Sequence, residues 1–304
     1  MKWLSALFVV LILILVGIYY VIDPEKGELN EAVRAQLGGT YIQLSDGMTH
    51  YKLEGPDNGQ VVVLVHGGTI PIWTWDKQIK ALTGAGFRTL TYDKYGRGYS
   101  DRPDVTYDQA LYQKQLLELV DKLALTEPFD LVGLSLGGGT AVNVTAHYPD
   151  RVRKLVLISP LINNFKIPSF FHIPVFGEFM ARIAGIRVIV NRFVSLFENN
   201  PESAKYTRLF KEQTTYKGFQ RSMLSMLRND AVGDYRHAYR IVGNQNRDIL
   251  LMWGMDDTEI TQEMIDSIRS LIPRLTFHPV AGVGHGIVFQ KTDAVNSLLI
   301  NFLS

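Results

Sequence analysis

The chain has 304 residues, of which 46% are hydrophobic and 20% charged, and its formal net charge at pH 7 is +1. This length fits one large α/β domain, or a domain that carries an insertion. The near-neutral charge argues against nucleic acid as a partner, because no basic field is present to displace counterions. The sequence holds no cysteine, which excludes disulfides, thiolate metal sites and a cysteine nucleophile.

The chain begins with an apolar segment, residues 3–22, that contains a single mildly polar serine. About 20 such residues are enough to span a membrane as a helix. A lysine precedes the segment and acidic residues follow it, so the positive-inside rule places the bulk of the chain outside the cytoplasm. We therefore predict a single-pass membrane anchor at residues 1–22 and a polar linker at residues 23–39. A cleaved signal peptide is the alternative, but residues 19–22 are bulky rather than small.

From residue 40 onward, strand-like and helix-like patterns alternate. The uninterrupted apolar run at residues 61–65 predicts a strand covered on both faces, the turn at residues 45–47 predicts two short antiparallel strands on either side of it, and amphipathic segments predict helices. The predicted strands lie at residues 41–44, 48–53, 61–65, 88–93, 129–134, 152–158, 248–253 and 275–280, and the predicted helices at 73–84, 107–123, 137–147 and 261–271. This order predicts an α/β fold with a mostly parallel, doubly wound sheet and a site at the carboxyl ends of its strands.

A Gly-x-Ser-x-Gly motif, centred on Ser135, joins the strand at 129–134 to the next helix. A nucleophilic serine must hold its hydroxyl above the sheet, which forces the backbone into a strained turn. Side chains two residues away on either side would then collide with the neighbouring strand and helix, and Gly133 and Gly137 remove that collision. We therefore predict Ser135 to be a catalytic nucleophile.

A second glycine-rich turn, His66-Gly67-Gly68-Thr69, directly follows the strand at 61–65. Such a loop presents backbone N–H groups to an oxyanion. We predict that Gly68 supplies one donor and Leu136, which follows the serine, supplies the other, with Thr69 as the alternative to Gly68. His66 is better explained as a residue that orders this loop by hydrogen bonding than as a catalytic base.

The polar loop at residues 93–103 contains Asp93, Lys94, Arg97, Asp101 and Arg102. Its glycine spacing matches neither a P-loop nor a dinucleotide fingerprint. We interpret it as a structural turn whose charges satisfy one another.

Several of these motifs together closely resemble the α/β-hydrolase superfamily, and within it the branch of serine esterases and monoacylglycerol-lipase-like enzymes. The related epoxide hydrolases and haloalkane dehalogenases carry an aspartate where this chain has Ser135. The resemblance spans roughly residues 41–304 apart from a middle insertion. It rests on His66-Gly67-Gly68, Asp93-x-x-Gly96-Arg97-Gly98-x-Ser100, Gly133-x-Ser135-x-Gly137-Gly138 and Tyr148-Pro149-Asp150-Arg151-Val152.

The resemblance also implies the position of the catalytic acid, three residues after the glycine that directly follows the strand at 248–253. That glycine is Gly254, which selects Asp257, with Asp256 as the adjacent alternative. A general base near neutral pH is best supplied by an imidazole, and His285 lies in a loop between glycines. The order Ser135, Asp257, His285 matches the order of this fold.

The resemblance further implies that the insertion at residues 160–246 is a helical lid over the site. The insertion is rich in phenylalanine, which suits an acyl chain. A basic amphipathic helix is predicted at residues 180–197, with Arg182, Arg187 and Arg192 on a polar side suited to an anionic membrane surface.

These features predict a membrane-anchored serine hydrolase that cleaves carboxylic esters, with acylglycerols or other medium- to long-chain acyl esters as small-molecule substrates. Ser135, Asp257 and His285 form the triad, and no metal or organic cofactor is required. The hydrolase core is expected at residues 40–159 and 247–304, on either side of the lid. The alternatives are amide, lactone or carbon–carbon bond hydrolysis or perhydrolysis by the same triad, and a non-catalytic binding protein of this fold.

Overall fold

The computed structural model describes residues 3, 7, 9, 10, 14, 17, 19–163, 167–197 and 200–304. Within these residues, eight strands form one sheet in the order β1-β2-β4-β3-β5-β6-β7-β8. The strands are β1 (Thr40–Gln43), β2 (Met48–Glu54), β3 (Val61–Val65), β4 (Arg88–Tyr92), β5 (Phe129–Leu134), β6 (Val152–Ile158), β7 (Ile249–Gly254) and β8 (Thr276–Val280).

The six strands from β3 to β8 pair with one another in parallel, whereas β2 pairs antiparallel with both β1 and β4. This is the mostly parallel sheet expected from the uninterrupted apolar runs. The register places Val65 beside Gly133, so β3 and β5 end side by side. Gly254 likewise pairs with Val280 at the ends of β7 and β8. The loops after these strands therefore emerge at one edge of the sheet.

Helices cover both faces of the sheet, which is why its central strands need no polar face. Successive strand residues alternate between two cores: Val63 and Val65 belong to one, and Val62 and Leu64 to the other. Outside the insertion, the helices from residue 31 onward are α1 (Glu31–Leu37), α2 (Asp76–Gly84), α3 (Gln109–Lys122), α4 (Leu136–His147), α10 (Gln262–Leu271), α11 (Ile287–Gln290) and α12 (Thr292–Leu303), with short 3₁₀ turns at Ile72–Trp75 and Pro149–Arg151.

The insertion between β6 and β7 is helical in its described part. It contains α5 (Phe176–Met180), α6 (Ile186–Val194), α7 (Ser203–Gln213), α8 (Phe219–Arg228) and α9 (Arg236–Gly243), a π-helical turn at Ala181–Gly185, and 3₁₀ turns at Ser169–His172, Ser195–Phe197 and Asp230–Val232. The helix predicted at residues 180–197 is therefore divided at the π turn. Trp73 of the core stacks on Tyr206 of the insertion, with ring centroids 5.1 Å apart, which ties the two parts together.

The prediction of a membrane anchor at residues 1–22 is contradicted. A span of the hydrocarbon core needs about 20 consecutive apolar residues in one helix, and none of the helices among the described residues meets that requirement. More than half of residues 1–22 lie outside the described residues. The predicted location of the catalytic domain outside the cytoplasm rested on that anchor and is contradicted with it.

The segment predicted as a linker lies against the insertion, and residues 23–27 are called the strap below. Asp23 forms an ion pair with Arg182 at 3.0 Å. Glu25 accepts hydrogen bonds from the backbone N–H groups of Gly218 and Gln220 at the start of α8. A carboxylate in this position satisfies helix N–H groups that have no partner within the helix. Burial raises the pKa of Glu25 above its usual value, although these two N–H groups act to lower it.

The arginines of the predicted basic helix do not form one membrane-facing row. Arg182 binds Asp23, and Arg192 forms an ion pair with Glu259 after β7. Two of the three predicted surface charges are therefore paired with carboxylates of the protein itself.

Candidate active site

Ser135 stands on a sharp turn between β5 and α4. Its backbone has φ 54° and ψ −121°, a conformation that a residue with a side chain rarely adopts. Its N–H donates to the carbonyl of Ile158 at 3.0 Å, and its own carbonyl accepts from the N–H groups of Gly138 and Leu161. These bonds to the turn and to the adjacent chain hold the serine in its strained backbone.

The glycines on either side of Ser135 are required by close backbone contacts. A Cβ atom on Gly133 would lie 2.3 Å from the carbonyl oxygen of Gly137, and one on Gly137 would lie 2.1 Å from that of Val65. Both distances are far below van der Waals contact. The collision expected from the sequence motif is therefore the collision that this backbone would produce.

His285 lies in the loop after β8 and contacts Asp257 in the loop after β7. The Nδ1 atom of His285 donates to Oδ2 of Asp257 at 2.8 Å. The other carboxylate oxygen accepts the backbone N–H groups of Glu259 and Ile260. Asp256, the alternative acid, is exposed. The structure thus pairs the histidine with Asp257.

The electrostatics of this pair favour an aspartate that is charged and a histidine that accepts a proton readily. Burial acts to raise the pKa of Asp257, but the hydrogen bond and charge of His285, together with two N–H groups, lower it below its usual value. Burial acts to lower the pKa of His285, but the bond to Asp257 and the charges of Glu259 and Asp257 raise it above its usual value.

A second carboxylate faces the opposite side of the same imidazole. Oε2 of Glu259 lies 3.7 Å from Nε2 of His285. Its Oε1 is held by the Nη2 and Nε atoms of Arg192, at 3.0 and 3.1 Å. Sequence reasoning missed Glu259, although its position two residues after the predicted acid was a usable signal. The role of Arg192 as its partner had no such signal, because the two residues are 67 positions apart.

The loop after β3 is ordered by His66, as expected. Its Nδ1 bonds the carbonyl of Gly67 at 2.8 Å, and its Nε2 accepts the N–H of Lys94 at 2.9 Å. Burial, aided by the charge of Lys94, lowers the pKa of His66 to about 3. Both ring nitrogens are engaged and the residue is fully buried, so this imidazole has no atom available for proton transfer.

The charged side chains of the loop at residues 93–103 bond backbone groups within the loop as well as residues outside it. Asp93 accepts from His50 at 2.7 Å, and Lys94 lies 3.3 Å from the hydroxyl of Thr140. Arg97 is fully buried and donates to the carbonyl of Gly68. The interpretation as a structural turn agrees with this geometry, but the partners differ from those expected.

Ser135 and His285 line one cavity of about 450 Å³, together with Gly68 and Leu136, the predicted oxyanion donors. Glu259 and Arg192 also line it. Among the described residues, no group of three or more His, Cys, Asp or Glu side chains is arranged to hold a metal ion. Most of the remaining wall is apolar and comes largely from the insertion. It includes Leu134, Leu161, Phe170, Phe171, Ile189, Phe193, Leu196, Met223, Leu224 and Phe289.

This geometry is a serine, a histidine and a buried aspartate at the carboxyl edge of a parallel sheet. The chain belongs to the alpha/beta hydrolase family, whose model matches residues 62–298.

Two relatives and one solved structure illustrate the range of reactions among similar proteins. The chain is 34% identical over 157 residues to a non-heme chloroperoxidase of Streptomyces lividans, covering 48% of this chain and 55% of that relative. It is 26% identical over 280 residues to a 2-hydroxy-6-oxononadienedioate/2-hydroxy-6-oxononatrienedioate hydrolase of Paraburkholderia phymatum, covering 86% and 94%. The enol-lactonase of Burkholderia xenovorans superimposes with a TM-score of 0.74 at 20% identity, covering 87% of this chain and 99% of that structure.

The chain thus spans about half the length of the chloroperoxidase it matches, and the likeness to the lactonase concerns the fold alone. None of these three similar proteins is named as an acylglycerol lipase. The family is established, and the finer branch expected from the sequence is not.

Proposed function

We propose that this chain is a serine hydrolase that cleaves carboxylic esters with an apolar acyl group. The hydroxyl of Ser135 attacks the carbonyl carbon while Nε2 of His285 takes its proton. The proton passes to the leaving alcohol, and the acyl group stays on the serine. Water, activated by the same histidine, then releases the acid and restores the hydroxyl. Asp257 holds the imidazole in the required tautomer, and the N–H groups of Gly68 and Leu136 bind the oxyanion.

The observation that supports this proposal is that Ser135 and His285 line one cavity while His285 bonds the buried Asp257. Ser135 projects from a strained turn, and His285 in the same cavity already holds Asp257 at 2.8 Å. Strain of this kind is retained where the surrounding structure enforces it, and it clusters at functional sites. The arrangement supports acyl transfer more directly than it supports simple binding.

The cavity wall supports an apolar acyl group. A volume of about 450 Å³ holds a drug-sized ligand, and the insertion supplies several phenylalanines to the wall. We therefore propose medium- to long-chain acyl esters, acylglycerols among them, as the preferred substrates.

A second candidate reaction is hydrolysis of a carbon–carbon bond by the same residues. The relative of Paraburkholderia phymatum, named as a hydrolase of dienedioates, aligns with 86% of this chain. Arg192, paired with Glu259, also lines the cavity, and in this candidate reaction its guanidinium would bind a carboxylate of the substrate.

The test is hydrolysis of 4-nitrophenyl esters from two to twelve carbons by the full chain, beside Ser135→Ala and the control Ser270→Ala, which alters an exposed serine of α10. We expect kcat/KM to rise with chain length and to vanish in Ser135→Ala alone. Preference for the two-carbon ester would remove the argument from the cavity wall. Full activity of Ser135→Ala would contradict the proposed nucleophile.

A parallel assay with 2-hydroxy-6-oxo-dienoates decides between the two bond types. Faster cleavage of these compounds than of any ester would favour the second candidate. Failure of a fluorophosphonate to label Ser135 would favour a binding protein without catalysis.

A further inference from the structure

Glu259 occupies a position that the triad itself does not require. The triad needs one carboxylate, which Asp257 supplies at Nδ1 of His285. Glu259 places a second carboxylate oxygen 3.7 Å from Nε2, the atom that exchanges protons with Ser135 and with the leaving group. The imidazole therefore lies between two acidic side chains.

The position of Glu259 is fixed from both ends. Its backbone N–H donates to Oδ1 of Asp257 at 2.8 Å, so the catalytic acid holds the main chain. Arg192 of α6 holds Oε1, which leaves Oε2 as the oxygen nearer the histidine. The side chain is 16% exposed and lines the same cavity as Ser135.

This geometry determines what the leaving group meets. The leaving oxygen must come within hydrogen-bond distance of Nε2 to receive its proton. Substituents one or two atoms from that oxygen then lie near Oε2 of Glu259. In a cavity with mostly apolar walls a negative charge acts strongly on its neighbours. A second negative charge placed there is repelled, and a hydroxyl donor finds an acceptor.

We propose that Glu259 selects the leaving group by charge, favouring an alcohol that carries a second hydroxyl beside the reacting oxygen and disfavouring one that carries a carboxylate. This inference rests on the proposed ester hydrolysis and specifies the alcohol side of that substrate class. A polyol monoester fits the site, and an ester of a hydroxy acid does not.

The test uses three octanoate esters that share the acyl group and have leaving groups of similar size. They are the propyl ester, the 2-hydroxyethyl ester and the carboxymethyl ester. For the unaltered protein we expect kcat/KM to be highest for the 2-hydroxyethyl ester and lowest for the carboxymethyl ester. The ratios to the propyl ester remove effects that are common to all three substrates.

Glu259→Gln retains the size of the side chain and removes its charge. We expect this variant to raise the carboxymethyl-to-propyl ratio about tenfold and to lower the 2-hydroxyethyl-to-propyl ratio about threefold, because charge repulsion and a charge-assisted hydrogen bond are lost. The matched control is Glu263→Gln, an exposed glutamate on α10, which should leave both ratios unchanged.

Arg192→Gln changes the same selection in the opposite direction. It removes the cation that offsets Glu259, so the carboxymethyl-to-propyl ratio should fall further. It also retains the carboxylate of Glu259, whose main chain is still held by Asp257, which preserves the test if Glu259→Gln does not fold. The double variant, which carries both Glu259→Gln and Arg192→Gln, separates two explanations. A carboxymethyl-to-propyl ratio that rises above that of Arg192→Gln identifies Glu259 as the determinant. A ratio as low as that of Arg192→Gln identifies Arg192 and overturns the proposal.

Failure of this inference and failure of the proposed function give different results. Ester hydrolysis that depends on Ser135, with ratios unchanged in Glu259→Gln, overturns the inference alone. If no ester is cleaved, the labelling of Ser135 can be measured instead, with an alkylphosphonate of 4-nitrophenol and with its carboxylated analogue. The ratio of the two labelling rates then reports the selection by charge without turnover. If neither phosphonate labels Ser135, the proposed function and this inference are both overturned.

Discussion

Two histidines lie at the carboxyl edge of the same sheet, and their surroundings differ in one decisive respect. His66, after β3, has both ring nitrogens bonded to backbone groups, and its pKa is lowered to about 3. His285, after β8, bonds a carboxylate and faces another, and its pKa is raised. The partners of the ring, rather than the residue type or its place on the sheet, make one imidazole structural and the other suited to proton transfer.

The largest contrast is expected in activity. His285→Ala removes the proposed base, and kcat/KM should fall by about 10⁴- to 10⁶-fold, as is typical when a triad histidine is lost. Its unfolding midpoint in urea should change little by comparison. Ester hydrolysis and urea titration of the same preparation measure both quantities. Retention of a tenth or more of the activity would show that His285 is not the base.

The acid that orients His285 gives the next effect. Asp257→Asn retains the size of the side chain but removes the charge that orients and stabilises the imidazole, so kcat should fall by about 10⁴-fold. Asp256→Asn changes an exposed neighbour and should stay within a factor of about three. Comparable losses in the two variants would contradict the assignment of the acid.

For stability the order of the two histidines is reversed, and the loss of His66 should have the larger effect. His66→Ala leaves the carbonyl of Gly67 and the N–H of Lys94 without their buried partner, and we expect a loss of about 2–4 kcal/mol in the free energy of unfolding. Urea denaturation measures this loss. His147→Ala, which changes a histidine on the exposed end of α4, is the control and should cost less than about 1 kcal/mol. Equal costs would mean that His66 does not order the loop.

The smallest effects are those of pH, and the two histidines again differ: His66 affects the stability of the fold and His285 affects the activity. The unfolded chain protonates His66 near pH 6.5 and the folded chain does so near pH 3, so His66 makes the fold less stable as pH falls through that window. The activity, in contrast, should be lost as pH falls below the pKa of His285, which is raised above its usual value.

A variant sharpens this pH comparison. The charged groups that face His285 are Asp257, Glu259 and Arg192. Glu259→Gln removes one negative charge that raises the pKa of His285, so the acid limb of kcat/KM should move to lower pH. The pH–rate profile measures this shift, and a limb that moves to higher pH would contradict it.

Most of the sheet was predictable because its strands carry their own signal. Val61–Val65, Phe129–Leu134 and Val152–Ile158 are observed with the predicted bounds. The serine turn was predictable for a similar reason, since close packing forces the spacing of its glycines. Local patterns therefore located Ser135, which lines the cavity, whereas the position of Asp257 was implied by the resemblance to a known family.

What the sequence did not predict depends on contacts between distant residues. The partners of Arg182 and Arg192 come from other parts of the chain, so an amphipathic pattern alone misplaced these charges toward solvent. The charges of the loop at residues 93–103 were likewise paired with the wrong partners. Residues 1–22 show a further limit, because apolar composition alone indicated a membrane span.

The strap has a practical consequence for anyone who prepares a shortened form of this protein. A chain trimmed at the end of the apolar segment would keep Asp23 and Glu25, whereas one trimmed a few residues later would lose the carboxylate that holds the start of α8. Phe219 and Gln220 of that helix line the cavity. The choice of starting residue therefore decides whether this part of the cavity wall keeps a support that lies outside the cavity itself.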